Sequence, residues 1–443
     1  MSQRSLTAVI LAAGLGTRLR SRQPKVLHSL AGTPMIDLVV ELCAGAGVER
    51  PIVVLNPAQP QVADHLGQRC DVVFQHAQRG TGHALSMVPS ESLRGDVLVL
   101  SGDSPLIRRE TVREVLEGHR SAQAAATIST VNDPRRRDGR IVRDAHGGFD
   151  RIVEERDATE EQRRITETNV GLYCFRAEDL PAALAGLKPG KKGGEIYLTD
   201  AVARMRPVEL FEISDPDEAL GINDRVQLAR AEKVMRRRLL EALMLSGVTV
   251  TDADTTFVDA GVTVGQDTVL EPFTILRRGA VIGEECRIGP YADIGESQIG
   301  DRCRVEHSWL RGVRMGGGSD CGPFVKLRPG TTIGAGVHIG SFAEINRSSI
   351  GPGSAVPHFS YLGDAVIGSN VNIGAGTITA NYDGVTKHTT EIGDGVHVGV
   401  HTSLRAPVKL GEGSRTGAGA VVLTDVPPGV TVVGIPARER PGK

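Results

Sequence analysis

A glycine-rich turn near the start of the chain carries residues suited to holding phosphate. The segment Leu11–Leu19 reads LAAGLGTRL, and Lys25 follows shortly after it. Gly14 and Gly16 would let the main chain approach an anion, and Arg18 can donate two parallel hydrogen bonds to phosphate oxygens. The glycine spacing matches neither the dinucleotide-binding GxGxxG pattern nor a GKS/T phosphate loop. The turn therefore predicts a phosphate-binding site of another kind.

Two further residues have side chains suited to catalysis. Asp103 follows an apolar run, and a carboxylate at the end of a parallel strand is a common ligand for Mg²⁺, with capping of a following helix as the alternative role. His358 interrupts the aliphatic pattern of the second half in the string PHFSYLGD. Histidine can act as a general base near neutral pH, although an isolated histidine is often only solvated.

Short β-branched runs that alternate with helical segments position the first of these groups. Strands are predicted at residues 7–11, 51–55, 71–74 and 96–100. With a helix at residues 34–44 between the first two, this alternation is typical of βαβ units and a mostly parallel sheet. Ligands of such sheets bind at the carboxyl ends of the strands, so the glycine turn and Asp103 are expected at one edge.

A long helix is predicted to separate the two halves of the chain. Between Asn223 and Leu245 apolar residues recur at three- and four-residue steps, which gives a helix with one apolar face. The predicted organisation is a Rossmann-like α/β domain at residues 1–222, a linker helix at 223–247, and an all-β domain at 248–443.

The second half has a period of six residues. Aliphatic residues recur at this spacing, as in the series Ile282, Ile288 and Ile294, each of which is followed by glycine. This period fits neither an α-helix nor an alternating strand, and it predicts a left-handed parallel β-helix of triangular cross-section built from hexapeptide repeats. Fourteen positions separate Ile378 from Ile392, so a loop is expected to leave the β-helix there and to take part in binding.

Composition excludes several classes of protein. A net charge of −2 and an aromatic content of 3% argue against binding to nucleic acid, and the basic run at 135–137 is interpreted as a solvated loop. The first apolar run is too short to span a membrane. The six cysteines form no CxxC pair, which predicts reduced cytoplasmic thiols and neither a disulfide framework nor a zinc site.

The motifs resemble those of a known family. The string LAAGLGTRL followed by PKVLH is similar to the signature of sugar-1-phosphate nucleotidyltransferases. With HFSYLGDA and NVNIGAGTITANYDG, the likeness extends from about Leu6 to Asp425 and includes the bifunctional bacterial enzymes of UDP-N-acetylglucosamine synthesis. Those enzymes join an N-acetylglucosamine-1-phosphate uridyltransferase to a glucosamine-1-phosphate N-acetyltransferase. The alternatives are a monofunctional nucleotidyltransferase with a structural or regulatory β-helix, and an assembly subunit with a degenerate transferase half.

The resemblance implies cofactors, partners and site residues. It implies a cytoplasmic homotrimer that uses Mg²⁺, with UTP and acetyl-CoA as co-substrates. In the uridyl site, Arg18 and Lys25 would be catalytic, and Asp103 and Asn223 would bind the metal. The nucleotide would contact Leu11, Ala12, Gly14, Lys25, Gln75, Gly80 and Thr81. The sugar phosphate would contact Gly139, Glu154, Asn169 and Asn223. For Gln75 a surface strand end, and for Asn223 a helix cap, are the alternative roles.

In the acetyl site the resemblance implies that His358 is the general base. The amino-sugar phosphate would contact Arg328, Asn346, Tyr361 and Asn372. Acetyl-CoA would contact Ala375, Asn381, Tyr382, Val400 and Ala418. Asn381 and Lys387 lie in the predicted loop, which is expected to reach a neighbouring subunit.

The chain departs from the family pattern at three places in this second site. Asn346 stands where the family has a phosphate-binding lysine, and Arg347 beside it is a candidate substitute. Val400 stands where the family has a serine. The tail TVVGIPARER lacks the family's usual arginine context. The other pocket residues match the family, so acetyl transfer stays a predicted activity of the second half.

Overall fold

The computed structural model of the chain describes residues 4–189 and 194–434. Two compact units are present, and the boundary between them falls between Met235 and Arg236. All six cysteines are buried and carry free thiols. None of the helices in the described ranges combines the length and apolar character needed to span a membrane. The C-terminal segment TVVGIPARER begins at residue 431, and its residues from 435 onward lie outside these ranges.

The first unit is built on a mixed β-sheet. Its strands are β1 (Leu6–Leu11), β2 (Ile52–Leu55), β3 (Asp71–Phe74), β4 (Asp96–Ser101), β5 (Ala126–Asn132), β6 (Arg140–Arg143), β7 (Phe149–Val153), β8 (Glu167–Arg176) and β9 (Val208–Glu212). Their spatial order is β9-β5-β8-β4-β1-β2-β3, and β6 pairs with both β8 and β7. Strands β3, β2, β1 and β4 are mutually parallel, whereas β8 runs antiparallel to β4 and β5.

Helices cover both faces of this sheet because its central strands are apolar on both sides. Ala8, Val9 and Ile10 of β1 are all fully buried. The helices are α1 (Met35–Gly45), α2 (Pro60–Leu66), α3 (Thr81–Ser86), α4 (Arg109–Ser121), α5 (Leu180–Leu184) and α6 (Leu198–Val202). Short 3₁₀ turns lie at Thr17–Leu19, Lys25–Leu27, Gly67–Arg69, Ser90–Ser92, Gln162–Arg164 and Pro216–Ala219, and a small hairpin joins Ser29–Leu30 to Thr33–Pro34. The predicted α/β class is confirmed, and each predicted strand matches an observed one to within one residue at either end.

The long helix α7 spans Arg225–Leu245 and therefore begins two residues later than predicted. Its first half belongs to the first unit, where Ala231 and Val234 pack in a core cluster with Ile222. Its second half belongs to the second unit, where Leu240 joins the core of the β-helix. The unit boundary therefore falls inside the helix that was predicted as a separate linker.

The second unit is the predicted left-handed parallel β-helix, whose three sheets form three faces. The first face contains Thr249–Val250, Val269–Leu270, Arg287–Ile288, Arg304–Val305, Asp320–Cys321, His338–Ser341, Ala355–His358, Asn372–Ile373, His397–Val398, Arg415–Thr416 and Thr431–Val432. The second face contains Phe257–Val258, Ile275–Leu276, Asp293–Gly295, Trp309–Arg311, Lys326–Leu327, Glu344–Asn346, Tyr361–Gly363, Ile378–Ala380, Ser403–Arg405 and Val421–Val422. The third face contains Thr263–Val264, Val281–Ile282, Gln298–Ile299, Arg314–Met315, Thr332–Ile333, Ser349–Ile350, Ala365–Ile367, Thr390–Ile392 and Val408–Leu410.

The aliphatic side chains of the repeat fill the interior, with one correction to the predicted register. Ile282, Ile288 and Ile294 are at most 3% exposed. Ile378, however, is 47% exposed, and the inward residue of its strand is Thr379, which is 1% exposed and pairs with Leu404. The predicted loop before Thr390–Ile392 is present, but the last inward residue before it is Thr379 and not Ile378, as the sequence analysis assumed. A threonine fits this interior position because its hydroxyl donates a hydrogen bond to the Gly363 carbonyl, at 3.0 Å.

Candidate active sites

Three of the predicted uridyl-site residues meet at the carboxyl edge of the first sheet. The Lys25 ammonium contacts a carboxylate oxygen of Asp103 and lies 2.7 Å from the amide oxygen of Asn223. The Lys25 side chain is only 10% exposed. Gly16 permits this burial, since it has a φ of 64° and a Cβ there would lie 2.5 Å from the Cβ of Lys25.

The helix-cap alternatives for Asp103 and Asn223 are wrong. Helix α4 begins at Arg109, well after Asp103. At the start of α7 the capping residue is Asp224, whose carboxylate accepts the Gln227 N–H at 2.8 Å. The Gln227 side chain accepts the Asn223 N–H at 2.7 Å. Asp224 and Gln227 thus hold the backbone of Asn223 and leave its side chain to face Lys25, a support that the sequence analysis missed.

The glycine turn lies against the end of β4. The Leu11 carbonyl accepts the Gly102 N–H at 3.0 Å, and the Ala12 N–H bonds to the Val54 carbonyl at 2.9 Å. A Cβ on Gly102 would lie 3.0 Å from the Cβ of Ala12, so turn and strand end are in close contact. Gly14 and Arg18 are exposed beside this contact. The main chain of the turn and the Asp103 carboxylate are therefore neighbours, as the parallel sheet predicted.

The Gln75 loop is more ordered than a surface strand end. Gln75 is 3% exposed, and its side-chain amide donates to the Gly80 carbonyl at 3.0 Å. The same nitrogen lies 3.0 Å from Nδ1 of His83, whose pKa is lowered by burial and by Arg79. Gly80 has a φ of 101°, and a Cβ there would lie 2.5 Å from the Ile196 carbonyl oxygen. The loop is thus fixed around a glycine that no other residue can replace without strain.

Helix α3 begins directly after this loop and is tied to a second segment. The Thr81 hydroxyl accepts the Leu198 N–H at 3.1 Å, and the Gly82 N–H donates to the Ile196 carbonyl at 2.9 Å. The segment that leads into α6 therefore braces the Gly80–Thr81 turn. Sequence reasoning gave no sign of this contact, because the two segments are far apart in the chain.

Three of the four predicted sugar-phosphate contacts also come together, and the fourth, Asn223, lies beside Lys25. The Gly139 carbonyl accepts the Asn169 N–H at 2.9 Å, and a Cβ on Gly139 would lie 3.5 Å from the Glu154 carboxylate. Burial raises the pKa of Glu154, while the Thr199 hydroxyl donates to this carboxylate at 2.9 Å. The Asn169 side chain bonds to the Tyr173 hydroxyl at 2.6 Å. Thr199 and Tyr173 are additions that the sequence analysis did not single out.

In the β-helix, several predicted acetyl-site residues share one corner. His358, Ala375, Val400 and Ala418 each lie two positions after the inward residue of successive first-face strands. The stacking is visible in the backbone: the Ala375 carbonyl accepts the His401 N–H at 2.6 Å, and the Val400 carbonyl accepts the Gly419 N–H at 2.8 Å. The exposed His358 side chain stands at one end of this column. We call these four residues the corner column.

Arg328, Asn346 and Tyr361 lie on the second face. The pairing of Leu327 with Ile345 makes Arg328 and Asn346 neighbours on adjacent coils. Arg328 donates to the Glu344 carboxylate at 3.1 Å, and Asn346 is only 5% exposed. Each of these positions is set by the coil repeat, which stacks equivalent residues above one another.

Arg347, the candidate substitute for the family's lysine, is paired with an acidic neighbour. Its guanidinium bonds to both carboxylate oxygens of Asp364, at 2.7 and 2.8 Å. This pairing holds the pKa of Asp364 below its ordinary value. The pairing uses the edge formed by Nε and one terminal nitrogen, so the other terminal nitrogen can still donate hydrogen bonds and the substitution for the lysine stays a prediction.

The remaining acetyl-site residues are divided between faces. Asn381 donates to the Asp364 carboxylate, and both Asn381 and the Tyr361 hydroxyl lie over Gly363. Asn372 instead lies on the first face, where its side-chain nitrogen is 3.4 Å from the His397 ring. Within one chain, Tyr361 and Asn381 therefore lie side by side, whereas Asn372 lies on a different face of the β-helix.

The loop that carries Lys387 is built around a tight turn. The Asp383 carboxylate accepts the N–H groups of Val385 and Thr386 at 2.8 and 2.7 Å. It also lies 2.7 Å from His388, and these bonds lower its pKa. The neighbouring Tyr382 is 58% exposed. The turn thus presents the Tyr382 and Lys387 positions on an ordered loop.

Comparisons with known proteins agree with both halves. The model of the MobA-like NTP transferase domain matches residues 8–209. A protein of Syntrophomonas wolfei named bifunctional protein GlmU is 44% identical over 430 residues, covering 96% of each chain. Proteins of the same name from Heliobacterium modesticaldum and Rubrobacter xylanophilus are each 46% identical, over 96% and 98% of this chain and 95% and 93% of theirs.

The α/β unit and the β-helix, each with its own cluster of candidate site residues, define a two-domain transferase with a nucleotidyltransferase half. The similarity to these relatives extends over both units, since the alignments cover 96% and 98% of this chain. The chain belongs to the bifunctional GlmU family. It is a uridyltransferase and an N-acetyltransferase in one polypeptide, rather than a monofunctional nucleotidyltransferase or an assembly subunit.

Proposed function

We propose that the first unit transfers uridyl from UTP to N-acetylglucosamine-1-phosphate at the edge where Lys25, Asp103 and Asn223 meet. The observation that carries this proposal is that the buried Lys25 ammonium contacts both the Asp103 carboxylate and the Asn223 amide oxygen. A sugar-phosphate oxygen attacks the α-phosphorus of UTP, a new P–O bond forms, and the P–O bond to pyrophosphate breaks. No protein nucleophile is needed, so Arg18 and Lys25 act by orienting phosphates and neutralising their charge.

The same residues fit a magnesium ion. Asp103 and Asn223 offer one carboxylate and one amide oxygen directed at a single point, and oxygen-only ligands suit Mg²⁺. When bound, Mg²⁺ would supply charge neutralisation on the transferring phosphates. Throughout the described ranges, including this site, there is no group of three or more His, Cys, Asp or Glu side chains placed to hold a metal.

The other contacts of the uridyl site follow from the same arrangement. The fixed Gln75–Thr81 loop would hold the uracil through main-chain groups, with Leu11, Ala12 and Gly14 approaching the nucleotide from the glycine turn. Gly139, Glu154 and Asn169 would hold the sugar. Glu154 can accept hydrogen bonds from sugar hydroxyls, and Asn169 can donate one.

In the second unit, His358 would remove a proton from the amine of glucosamine-1-phosphate. The nitrogen then attacks the thioester carbonyl of acetyl-CoA, the C–N bond forms, and the C–S bond breaks to release CoA, which takes up the proton. Arg328 would bind the sugar phosphate beside Asn346 and Tyr361. Acetyl-CoA would lie along the corner column, where the side chains of Ala375 and Ala418 are small enough for close approach.

The two activities form a sequence, because the N-acetylated product of the second unit is the acceptor of the first. Acetyl transfer therefore comes first and uridyl transfer second. The six free thiols support the proposal that both steps occur in the cytoplasm, where cysteines stay reduced.

A homotrimer would complete the acetyl site. Asn372 lies on a different face from Arg328 and Tyr361, so a second copy is a natural source of the missing side of the pocket. An exposed row of rings supports such an assembly, with centroids 4.8 to 5.5 Å apart along one edge. We call this row the aromatic ladder; it consists of Phe273, Tyr291, His307, Phe324 and Phe342. Phe324 and Phe342 are 55% and 65% exposed, and apolar surface of this extent is usually covered by a partner.

Purified protein given glucosamine-1-phosphate, acetyl-CoA, UTP and Mg²⁺ should release free CoA thiol and pyrophosphate. Asp103→Asn should lose pyrophosphate release while thiol release continues at the native rate, so each preparation contains its own control. Pyrophosphate release that survives in Asp103→Asn contradicts the magnesium assignment. Pyrophosphate release only from pre-acetylated substrate, with no thiol, contradicts the acetyl assignment.

A further inference from the structure

Tyr173 contacts the sugar-binding residue Asn169 from inside the core. It is 6% exposed, and its hydroxyl accepts a hydrogen bond from the Asn169 side-chain nitrogen at 2.6 Å. Its ring stacks on Phe175 with centroids 5.7 Å apart and planes inclined by 16°. The ring is thus held by packing while the hydroxyl is directed at Asn169.

A bulge in β8 makes this contact possible. In a regular strand, residues 169 and 173 would lie about 13 Å apart, at roughly 3.3 Å per residue. In β8, however, Asn169 pairs with Thr130 and Tyr173 with Ile128, so four steps of β8 face two steps of β5. Gly171 lies inside the bulge with a φ of 83°, and a Cβ there would lie 3.1 Å from the Ser101 hydroxyl. The bulge brings the Tyr173 hydroxyl within reach of the Asn169 amide.

Two contacts fix which way the Asn169 amide faces. The Gly171 N–H donates to the amide oxygen at 3.4 Å, and the Tyr173 hydroxyl accepts from the amide nitrogen. Burial raises the pKa of Tyr173, so the phenol remains protonated at all working pH values. Asn169 itself is half-buried and has a second N–H to offer.

We propose that Tyr173 is a positioning residue that holds Asn169 with one N–H directed at the sugar, and so sets the affinity for the sugar phosphate. The inference rests on the proposed role of Asn169 in binding that substrate. Without the hydroxyl, the amide keeps only the long contact to Gly171 and can rotate away from its binding orientation. Sugar binding would weaken, whereas nucleotide binding and the chemical step would not change.

Tyr173→Phe keeps the ring and its packing and removes only the hydroxyl. We expect the KM for N-acetylglucosamine-1-phosphate to rise about threefold to tenfold, the range that one lost hydrogen bond gives. The KM for UTP and kcat should stay within about twofold of native, because no nucleotide contact is lost. Phe175→Leu is the matched control: it disturbs the same stack without removing a hydrogen bond, so it should lower the melting temperature and leave the sugar KM unchanged.

A double-mutant cycle tests whether Tyr173 acts through Asn169. If it does, Asn169→Ala and Asn169→Ala/Tyr173→Phe should have the same sugar KM, since the hydroxyl then has nothing to hold. Additive effects would overturn the inference, as would a native sugar KM in Tyr173→Phe alongside a raised one in Asn169→Ala. A native sugar KM in Asn169→Ala would instead show that the proposed sugar contact is wrong.

Discussion

The two candidate sites differ in how much of each a single chain assembles. In the α/β unit, Lys25, Asp103 and Asn223 come from distant segments and touch one another, and Lys25 is nearly buried. In the β-helix, His358 stands exposed at a corner, and Asn372 and Tyr361 lie on different faces. The residues of the first site are therefore in mutual contact and largely buried, whereas those of the second site lie apart on the outer surface of the β-helix.

The difference follows from the two architectures. Parallel strands joined by helices end at one edge, so loops from all of them meet in one crevice. A β-helix stacks equivalent positions along its axis, which aligns the corner column but keeps side chains of different faces apart. We therefore expect uridyl transfer to depend on contacts within one chain and acetyl transfer to depend on assembly.

The largest expected effect separates the two sites by chemistry. His358→Ala should lower acetyl transfer by about 10²–10⁴-fold, the contribution typical of a general base. Uridyl transfer to N-acetylglucosamine-1-phosphate should be unchanged. Thiol release and pyrophosphate release, measured separately on one preparation, check both statements.

His338→Ala is the matched control, because His338 is another exposed histidine of the first face. It pairs with Asp320 at 2.7 Å and lies outside the corner column. Its acetyl transfer rate should remain native. A similar loss in both variants would mean that the first face as a whole, and not His358, is sensitive to substitution.

The next effect tests the dependence on assembly. Phe324→Ser/Phe342→Ser removes two rings of the aromatic ladder, and we expect dissociation in sedimentation together with at least a roughly tenfold loss of acetyl transfer at low protein concentration. Uridyl transfer should persist, because its site lies within one chain. Raising the protein concentration should restore part of the acetyl activity.

Val281→Ser provides the comparison for this variant. Val281 is 44% exposed and lies on the third face, away from the ladder. The native oligomer should survive this change. A dissociated Val281→Ser protein alongside an intact ladder variant would show that the copies associate through the third face.

The sequence predicted most where local pattern and global fold demand the same residue. The glycine turn is an example: Gly16 is needed for its positive φ and for the approach of Lys25, and both needs are visible as a glycine after a strand. The hexapeptide period is another, because each inward aliphatic residue packs against its own repeats above and below. These features predicted both folds and the edge at which Asp103 lies.

The sequence predicted least where long-range contacts decide. Ile378 matches the aliphatic pattern better than Thr379, yet Thr379 faces inward because its hydroxyl donates to the Gly363 carbonyl of the preceding coil. The pairing of Arg347 with Asp364 also depends on the stacking of coils. The bulge that brings Tyr173 to Asn169 depends on register against β5, which no local pattern encodes.

A smaller effect tests how tightly the α/β site is assembled. Gly16→Ala forces a side chain into a left-handed conformation and places its Cβ 2.5 Å from that of Lys25, so we expect a loss of about 1–2 kcal/mol in unfolding free energy with reduced uridyl transfer. Gly14→Ala should change stability by less than about 0.5 kcal/mol, since nothing lies within 4 Å of the added Cβ. Equal losses of unfolding free energy in Gly16→Ala and Gly14→Ala would mean that the contact between Gly16 and Lys25 does not stabilise the turn. Acetyl transfer should not respond to either change.

The smallest effect concerns the unfolding free energy that the protein loses by burying the Glu154 carboxylate. Burial raises the pKa of Glu154, so its ionised form is disfavoured in the folded protein. Below the unfolded pKa the carboxyl is neutral in both states. As the pH rises through the folded pKa, the native state loses stability relative to a variant that cannot ionise. Glu154→Gln should therefore be more stable than the native protein at pH 8, by about 1 kcal/mol, and the gain should vanish toward pH 4.

The adjacent Glu155→Gln should have the opposite sign. Glu155 pairs at 2.8 Å with Arg140, whose side chain is 2% exposed, so neutralising Glu155 leaves a buried cation without its partner. Thermal unfolding of both variants between pH 4 and pH 8 measures the two effects. A Glu154→Gln gain that does not change with pH would show that the carboxylate is solvated. In that case the α/β site would be as open as the corner of the β-helix, and the contrast between the two sites would lose its physical basis.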